Sequence, residues 1–397
     1  MTKKIKKNYK IETLTSHSGL SPDDNYGIVN PPVYHASTIL SPTMKDYKTK
    51  KNKKYTYGRN GTPTTDSLEY AIAKIYDAKG AVLAPSGMGA ISNSLMAVLK
   101  SNDHALFPDC VYGSARRFVI EEFPRLNIQF DFYNQRDLED IKKKIRKNTK
   151  VLYIESPGTY TFEIIDIKKV VKIAKDKKIV TIIDNTWGTA LYFNAIKFGI
   201  DIVCEAITKY IGGHSDVMLG VSISNKKYLS SIKRWRLNSG QSVGPDDVFL
   251  ALRGLRTLPL RLEKSYKNSK KIASFFSSLK EVKNVFHPAL NNHPDHKLWK
   301  RDFSGASGIF GIEFQKNISE QAVEYFADCC ILFGKGASWG GFESLMTMMD
   351  LEPNRSLKNS YLPDGPYLRI YVGLENIEDL INDIENAINK MRKKYRI

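Results

Sequence analysis

Cysteine is scarce in this chain: there are four in 397 residues, with no spacing typical of a disulfide framework. This argues against a secreted scaffold held together by disulfides. Cys329 and Cys330 are adjacent, which makes a bridge between them geometrically awkward. We therefore expect a cytoplasmic compartment.

Long apolar runs are also missing, and none approaches the ~18 residues that a membrane span needs. The N-terminus, residues 1–10, is basic but lacks the apolar core of a signal peptide. The hydrophobic content of 42% is ordinary for a globular protein. We expect no membrane partner.

Acidic residues are outnumbered, with 42 Asp and Glu against 60 Lys and Arg and a net charge of +18. A basic balance can mark a nucleic-acid-binding protein. Here the lysines are spread along amphipathic helices predicted at 137–147 and 167–178. The clusters at 3–7 and 48–54 are short and belong to no recognised binding module. A solvated lysine surface without nucleic acid is the favoured interpretation, and a non-catalytic nucleic-acid-binding protein is the remote alternative.

The organisation changes twice along the chain. Residues 1–60 have no sustained period, and Pro31, Pro32 and Pro42 prevent long helices, so this part predicts an extended arm lying on another surface. Apolar strand-like runs then alternate with helical patterns up to about residue 250. This predicts an α/β domain, residues 61–250, with a mostly parallel sheet. Residues 251–397 predict a smaller α+β domain.

The individual elements follow from hydrophobic period and length. The sequence predicts strands at 81–84, 105–107, 151–154, 180–183, 201–204, 308–314 and 367–372. It predicts helices at 65–76, 91–99, 137–147, 167–178, 260–279 and 377–391.

Two of the strands carry reactive groups at their ends. The apolar run 180–183 ends on Asp184, and the run 201–204 leads into Thr208 and Lys209. Ligands of open α/β sheets lie at the carboxyl ends of the strands. An aspartate and a lysine at one edge suit pyridoxal 5′-phosphate (PLP), because the lysine amine condenses with its aldehyde and the aspartate holds its ring nitrogen protonated. Nothing in the immediate sequence separates Lys209 from the other lysines.

The segment Ser86-Gly87-Met88-Gly89-Ala90 follows a strand and opens a helix. Glycine lets backbone amides approach an anion, and a helix N-terminus supplies free N–H groups. A phosphate site and an ordinary tight turn both explain this pattern. The dinucleotide-binding fingerprint has a different glycine spacing.

Arg369 lies within an apolar strand, where a charge is costly unless it is paired. Arginine binds carboxylates in a bidentate manner, so a substrate carboxylate and an internal ion pair are both open interpretations. The run Ser338-Trp339-Gly340-Gly341 indicates a close approach of backbone to another group.

Two further patterns are weaker indications of a functional site. His214, Ser215 and Asp216 have the residue types of a catalytic triad, but sequence neighbours do not converge as a triad requires. His293 and His296 flank Pro294 without a third ligand in view, so no metal is expected.

Taken together, the motifs of this chain resemble those of the Cys/Met-metabolism family of PLP-dependent enzymes, and the resemblance covers nearly the whole chain. Its marks are Tyr57-Gly58-Arg59, Ser86-Gly87-Met88, Tyr112-Gly113, Glu155-Ser156-Pro157-Gly158, Thr161-Phe162-Glu163, Asp184-Asn185-Thr186-Trp187, Thr208-Lys209-Tyr210, Gly212-Gly213-His214-Ser215-Asp216, Arg253-Gly254-Leu255-Arg256-Thr257-Leu258, Ser338-Trp339-Gly340-Gly341 and Leu368-Arg369-Ile370. The resemblance implies the aspartate-aminotransferase fold, fold type I of PLP enzymes.

The resemblance also implies roles for individual residues. The catalytic residues would be Lys209, Asp184 and Tyr112, which also bind the cofactor, with Tyr112 stacking on its ring. The phosphate would be held by Gly87, Met88 and Thr208, and by Tyr57 and Arg59 reaching in from a neighbouring subunit. The amino-acid substrate would contact Arg369, Ser338, Trp339, Tyr57 and Tyr112. Members of the family are typically homotetramers built as dimers of dimers.

The implied reaction is β-elimination of L-cystathionine to homocysteine, pyruvate and ammonia, a step of methionine biosynthesis. Ser156-Pro157-Gly158 and Trp339 favour it over the γ-lyase and γ-synthase reactions of relatives, which stay as alternatives. Ala337 and Phe342 depart from the tyrosines common in bacterial β-acting relatives, which predicts relaxed specificity. Slow racemisation of alanine is a further expected side activity.

Overall fold

The computed structural model describes residues 9–50 and 53–397. The predicted basic cluster at 3–7, part of the cluster at 48–54 and the beginning of the predicted arm lie outside the described residues. Within them, helices and strands alternate between residues 63 and 205, as the sequence predicts for an α/β protein.

A seven-stranded sheet forms the centre of the larger part of the molecule. Its strands are β1 (Gly80–Ala84), β2 (His104–Pro108), β3 (Gln129–Tyr133), β4 (Thr149–Glu155), β5 (Val180–Asp184), β6 (Ile202–Glu205) and β7 (Gly220–Ser224). Their order is β1-β7-β6-β5-β4-β2-β3. Only β7 runs antiparallel to its neighbours, β1 and β6. The predicted fold class, a mostly parallel sheet, is confirmed.

A second, five-stranded sheet lies in the C-terminal part. Its strands are β8 (Val282–Phe286), β9 (Ile309–Phe314), β10 (Phe333–Lys335), β11 (Ser344–Met348) and β12 (Tyr367–Tyr371), in the order β10-β11-β12-β9-β8. All pairs except β10 and β11 are antiparallel. The alternation of helices with a largely antiparallel sheet gives the smaller α+β part that the sequence predicts.

The helices cover both sheets. They are α1 (Ile11–His17), α2 (Met44–Thr49), α3 (Pro63–Ile75), α4 (Gly87–Met96), α5 (Gly113–Glu122), α6 (Leu138–Lys144), α7 (Ile167–Asp176), α8 (Thr189–Tyr192), α9 (Lys226–Asn238), α10 (Pro245–Arg256), α11 (Leu258–Ser277), α12 (His296–Asp302), α13 (Glu320–Cys329) and α14 (Ile377–Tyr395). No helix in the described ranges is long and apolar enough to span a membrane.

Two predicted helices end early. The helix predicted at 137–147 stops at Lys144, because Ile145 takes an extended conformation. The helix predicted at 167–178 stops at Asp176, and Lys178 adopts a positive φ of 57°. Lysine-rich sequence continues beyond both helices, so composition alone placed the ends too late.

Separate apolar cores underlie the two sheets. Leu252, Leu255, Leu258 and Leu262 belong to the core of the larger sheet. Ile272 and Phe276, further along the same helical region, belong to the core of the smaller sheet. Helix α11 therefore connects both cores. The domain boundaries given above, 61–250 and 251–397, stay predictions.

The described part of the arm is anchored at one end. Leu14 on α1 is buried in the core of the larger sheet. The Arg256 guanidinium donates hydrogen bonds to the carbonyls of Thr15 and Ser18, at 2.7 and 2.8 Å. Apart from one isolated bridge, the described residues between 18 and 62 form only short helices, in keeping with the prolines noted above.

Candidate active site

Lys209 lies in the turn that follows β6, at the carboxyl edge of the sheet. Its Nζ donates to the Ser338 hydroxyl at 2.5 Å and lies 5.4 Å from the centre of the Trp339 ring. Burial and the Arg369 charge lower the pKa of Lys209 to about 8, although Asp184 opposes the shift. Roughly a tenth of the free amine is therefore neutral at pH 7, far more than at the ordinary lysine pKa of about 10.4, and the neutral form is the nucleophile and base.

Asp184 ends the neighbouring strand β5, at the same edge of the sheet. Its Oδ1 accepts the amide and the hydroxyl of Thr186, at 2.9 and 2.6 Å. Burial raises the pKa of Asp184, while the Thr186 hydrogen bonds and Lys209 oppose the shift. The Thr186 hydroxyl also accepts the Ala206 amide at 2.9 Å, which ties the end of β5 to the turn containing Lys209.

The N-terminus of α4 approaches this turn. Ser86 caps the helix by accepting the Gly89 amide at 3.0 Å. As the first two helical residues, Gly87 and Met88 have amides without an acceptor inside the helix. A Cβ on Gly87 would lie 2.7 Å from the Cβ of Ala206, which precedes Thr208 by two residues. The glycine thus allows free amides to approach the turn that carries Lys209.

Thr208 is half-buried in the same turn as Lys209. Its hydroxyl exchanges hydrogen bonds with Leu219, donating to the carbonyl at 3.1 Å and accepting the amide at 3.0 Å. The structure therefore brings the predicted phosphate ligands Gly87, Met88 and Thr208 to the same edge of the sheet as Lys209.

Tyr112 precedes helix α5 and its side chain is 44% exposed. Its backbone amide donates to the Glu155 carboxylate at 2.7 Å. Glu155 ends β4 and pairs in register with Asp184 on β5. Tyr112 is thus held next to the strand end that carries Asp184.

Ser338, Trp339 and Arg369 come to Lys209 from the smaller sheet. Ser338 has a positive φ of 82°, a rare conformation for serine, which directs its hydroxyl to Lys209. The Arg369 guanidinium donates to the Ser338 carbonyl at 3.3 Å and to the Thr347 hydroxyl at 3.4 Å. Within the part of the chain that the structure describes, Arg369 forms no ion pair. The interpretation of Arg369 as part of an internal ion pair is therefore not supported.

Tyr57 and Arg59 lie elsewhere in the same chain. Tyr57 is exposed and pairs with Thr38 through an isolated bridge. Arg59 donates to the Leu237 carbonyl, at the end of α9, at 2.5 Å. The hydrogen bonds of these two residues do not reach Lys209 of their own chain.

Sequence reasoning assigned no role to Glu155 or to Thr186, although both were quoted within motifs. Glu155 closes an apolar strand on a lone carboxylate, as Asp184 does one strand away. That shared position at a strand end was the signal available in the sequence. Nothing in the sequence indicated the contact between Glu155 and the amide of Tyr112.

The other patterns have local explanations. His214 contacts the Gly212 carbonyl, and Ser215 donates to Glu343, so His214, Ser215 and Asp216 do not form a catalytic triad. His293 accepts the Asp295 amide, while His296 contacts the Pro288 carbonyl. Across residues 9–50 and 53–397, no group of three or more His, Cys, Asp or Glu side chains could hold a metal.

The arrangement fits PLP. A lysine amine with a lowered pKa can bond to its aldehyde, a carboxylate can face its ring nitrogen, and free helix amides can donate hydrogen bonds to its phosphate. A side chain on Gly87 would close this space from the side of Ala206. The residues that would hold the group are Lys209, Asp184, Tyr112, Gly87, Met88 and Thr208.

Comparison with known proteins agrees with this site. A putative cystathionine β-lyase of Rhizobium johnstonii is 40% identical over 96% of both chains. An L-alanine/L-glutamate racemase of Wolbachia pipientis is 37% identical over 96% of this chain and 98% of its own. Other curated relatives, at 32% to 35% identity, are also named cystathionine β-lyase.

Solved structures agree as well. Cystathionine γ-lyase from Lactobacillus plantarum, complexed with L-serine, superimposes with a TM-score of 0.90 at 27% identity over 97% of this chain and all of that one. The family described as Cys/Met metabolism PLP-dependent enzyme matches residues 12–389. The chain belongs to the Cys/Met metabolism family of PLP-dependent enzymes.

Proposed function

We propose that the protein is a PLP-dependent carbon–sulfur lyase that cleaves L-cystathionine by β-elimination. The observation that carries the proposal is the convergence on one serine: Ser338 contacts both the Lys209 amine and the Arg369 guanidinium. An amino acid bound there would have its carboxylate at Arg369 and its Cα beside Lys209. The β-lyase names of several relatives support the same activity.

The bound cofactor would accept the electron pair left at the substrate Cα. Arg369 and Ser338 would hold the α-carboxylate, and Asp184 would keep the ring nitrogen protonated. Lys209 would remove the Cα proton, after which the bond between Cβ and sulfur breaks with its electrons on sulfur. The proton held by Lys209 would then pass to the leaving thiolate, which gives homocysteine. Addition of water to the remaining three-carbon unit gives pyruvate and ammonia.

Trp339 supports β- over γ-elimination. Its ring lies 5.4 Å from the Lys209 amine and 5.4 Å from the Tyr210 ring, which confines the space next to Lys209. A γ-elimination needs a second proton to be removed, from Cβ, and a longer intermediate to be accommodated. Ala337 and Phe342 are exposed beside this loop, which supports relaxed specificity for the distal half of the substrate.

The keto acid released from L-cystathionine tests the proposal. We expect pyruvate as the main product, accompanied by homocysteine in equal amount. Mainly 2-oxobutyrate would instead identify a γ-lyase of the same family. The Lys209→Ala variant, which lacks the proposed base, is the control and should release neither. Failure of the wild-type protein with added PLP to cleave cystathionine would reject the lyase proposal.

Racemisation of small amino acids is a second candidate activity. It is favoured by the Wolbachia relative, whose name is L-alanine/L-glutamate racemase. Racemisation shares the removal of the Cα proton with β-elimination but returns a proton to the opposite face. Tyr112, exposed at the edge of the site, would be the acid on that face. Incubation of L-alanine in D₂O should yield deuterated D-alanine slowly, and its absence would reject this activity.

We further infer that the enzyme works in the cytoplasm as a homotetramer, a dimer of dimers. The four cysteines are all free thiols in the described chain, which suits a reducing compartment. The motif that contains Tyr57 and Arg59 resembles that of the family. The contacts of both residues in the described part of their own chain, to Thr38 and to the Leu237 carbonyl, do not include Lys209, which supports an exchange of these residues between subunits. Light scattering of the purified protein should give four times the chain mass, and a monomer at micromolar concentration would reject this assembly.

A further inference from the structure

Glu155 occupies a central position that the reaction outlined above does not use. It is the last residue of β4, is 6% exposed and faces Asp184 across the parallel pair of strands. Its carboxylate accepts the Tyr112 amide at 2.7 Å and the hydroxyl of Thr159. Within the described residues it forms no ion pair with Lys or Arg. Both of its hydrogen-bond partners are therefore neutral.

Tyr112 depends on its backbone for placement. The residue precedes α5 with φ and ψ of −46° and 129°, and its side chain forms no capping hydrogen bond. Its carbonyl accepts the Arg116 amide at 2.9 Å. With Glu155 at its amide, both polar groups of the Tyr112 backbone are fixed, while the ring itself is half-exposed.

Thr159 connects Glu155 to the segment that precedes Tyr112. Its hydroxyl donates to Glu155, and its amide donates to the Cys110 carbonyl at 2.8 Å, two residues before Tyr112. Its carbonyl accepts Arg355 at 3.2 Å. The end of β4 and the segment leading into α5 are thus held together at two points, and Glu155 contributes to one of them directly.

We propose that Glu155 is a positioning residue of the active site, whose carboxylate fixes the backbone of Tyr112 and thereby the place of the Tyr112 ring. The inference rests on the proposed function, in which Tyr112 contacts the cofactor. It names a residue that acts through Tyr112 rather than on the substrate.

The chemistry of burial supports this role. Burial raises the pKa of Glu155 to about 8, with the charge of Asp184 as the next contribution, while Thr159 and the Tyr112 amide oppose the shift. A buried carboxyl next to another is costly unless its oxygens have partners. The Tyr112 amide is one of the groups that offset this cost, so the two residues stabilise each other.

A double-mutant cycle on cofactor affinity tests the proposal. We would measure the Kd of PLP by equilibrium dialysis for wild type, Glu155→Ala, Tyr112→Ala and the double variant. Each single change should raise the Kd by about 10-fold, the loss of one hydrogen-bonded or stacking contact. The double variant should be no weaker than Tyr112→Ala, because Glu155 acts through that ring. Additive effects would overturn the proposal.

Conservative and control variants sharpen the test. Glu155→Gln keeps an oxygen that can accept the Tyr112 amide, so its Kd should stay within about threefold of wild type. A Gln variant as weak as the Ala variant would overturn the positioning role. Glu205, also buried at a strand end and bonded to Tyr76 instead, is the matched control. Any effect of Glu205→Ala on the Kd should add to that of Tyr112→Ala.

These outcomes also distinguish failure of the positioning role of Glu155 from failure of the proposed function. An unchanged Kd in Tyr112→Ala would show that Tyr112 does not contribute to cofactor binding, which would contradict part of the proposed function. A raised Kd in Tyr112→Ala with an unchanged Kd in Glu155→Ala would reject the positioning role alone.

Discussion

Gly340 lies directly against Lys209. A Cβ added to Gly340 would come within 2.8 Å of the Cα and carbonyl carbon of Lys209, and the glycine has a φ of +91°. The loop from the smaller sheet therefore reaches the lysine by backbone contact, and only glycine permits it. This contact places Ser338 and Trp339 next to the lysine amine, so the two sheets build one site.

Gly340→Ala should disturb the site more than the fold. The new methyl group must displace either the loop or Lys209, and alanine at this φ costs about 1–2 kcal/mol. We expect kcat/KM to fall at least about 10-fold, since small displacements of catalytic groups are costly. Gly336→Ala is the matched control, because its Cβ would meet only Leu345, at 4.0 Å. Equal activity of the two variants would contradict the importance of the contact.

Arg369→Gln should raise the pKa of Lys209 in the cofactor-free protein. The Arg369 charge is the second cause, after burial, of the lowering to about 8. Without that cation the protonated amine is less disfavoured, so the pKa should move up towards 10.5. The pH dependence of acetylation of the Lys209 peptide, followed by mass spectrometry, measures this, with exposed Lys168 as internal reference. An unchanged pH midpoint would show that burial alone sets the pKa.

Much of the site could be predicted from the sequence, because its anchors end apolar strands. Asp184 closes β5, and Lys209 lies four residues beyond the end of β6. A parallel sheet brings such ends to one edge whatever the rest of the chain does. Strand β7, Gly220–Ser224, was not predicted, because a short run with two serines and a glycine has little apolar signal.

Contacts between segments that are distant in the chain could not be predicted from the sequence. The approach of Gly340 to Lys209 and the bond from Tyr112 to Glu155 join residues far apart in the chain. Their geometry depends on how two sheets pack, which hydrophobic period does not specify. The ends of α6 and α7 were predicted too late, because lysine is compatible with both helix and loop.

Arg369→Ala should weaken substrate binding while cofactor binding stays intact. Arg369 has only neutral partners in the described structure, so a substrate carboxylate would be its charged partner. Loss of a buried, charge-paired contact typically costs about 2–5 kcal/mol, so kcat/KM should fall roughly 30-fold or more. Steady-state kinetics and the Kd of PLP would be measured together. A near-normal kcat/KM would leave Arg369 a structural role only.

Glu205 should make the cofactor-free protein less stable as pH rises. Burial raises the pKa of Glu205 to about 8 from 4.5, so the folded state binds its proton more tightly than the unfolded state does. This contribution is fully present below about 4.5 and is lost as pH rises through about 8. Between pH 5.5 and 8.5 the thermal midpoint should fall, and Glu205→Gln should reduce the fall by at least about 2 °C. Exposed Glu121→Gln should leave the fall unchanged.

Arg59 and Lys209 should complement each other between subunits. Arg59 is bound to the end of α9 in its own chain, and we propose that it serves the site of a neighbour. Arg59→Ala and Lys209→Ala chains should each be nearly inactive alone. In a mixed dimer, one site then receives both wild-type residues and the other receives neither. Random mixing in equal amounts should therefore restore about a quarter of all sites.

The matched control for this experiment is a mixture of Arg369→Ala and Lys209→Ala chains. Arg369 and Lys209 both contact Ser338 of the same chain, so every site in that mixture lacks one of them. Mixing should add no activity to that of the unmixed Arg369→Ala chains, because exchange of subunits cannot bring Arg369 and Lys209 into one site. Mixed oligomers would be verified by native mass spectrometry with one chain isotopically labelled. If verified mixed oligomers of the Arg59 and Lys209 variants recovered no more activity than this control, Arg59 would have to serve its own subunit.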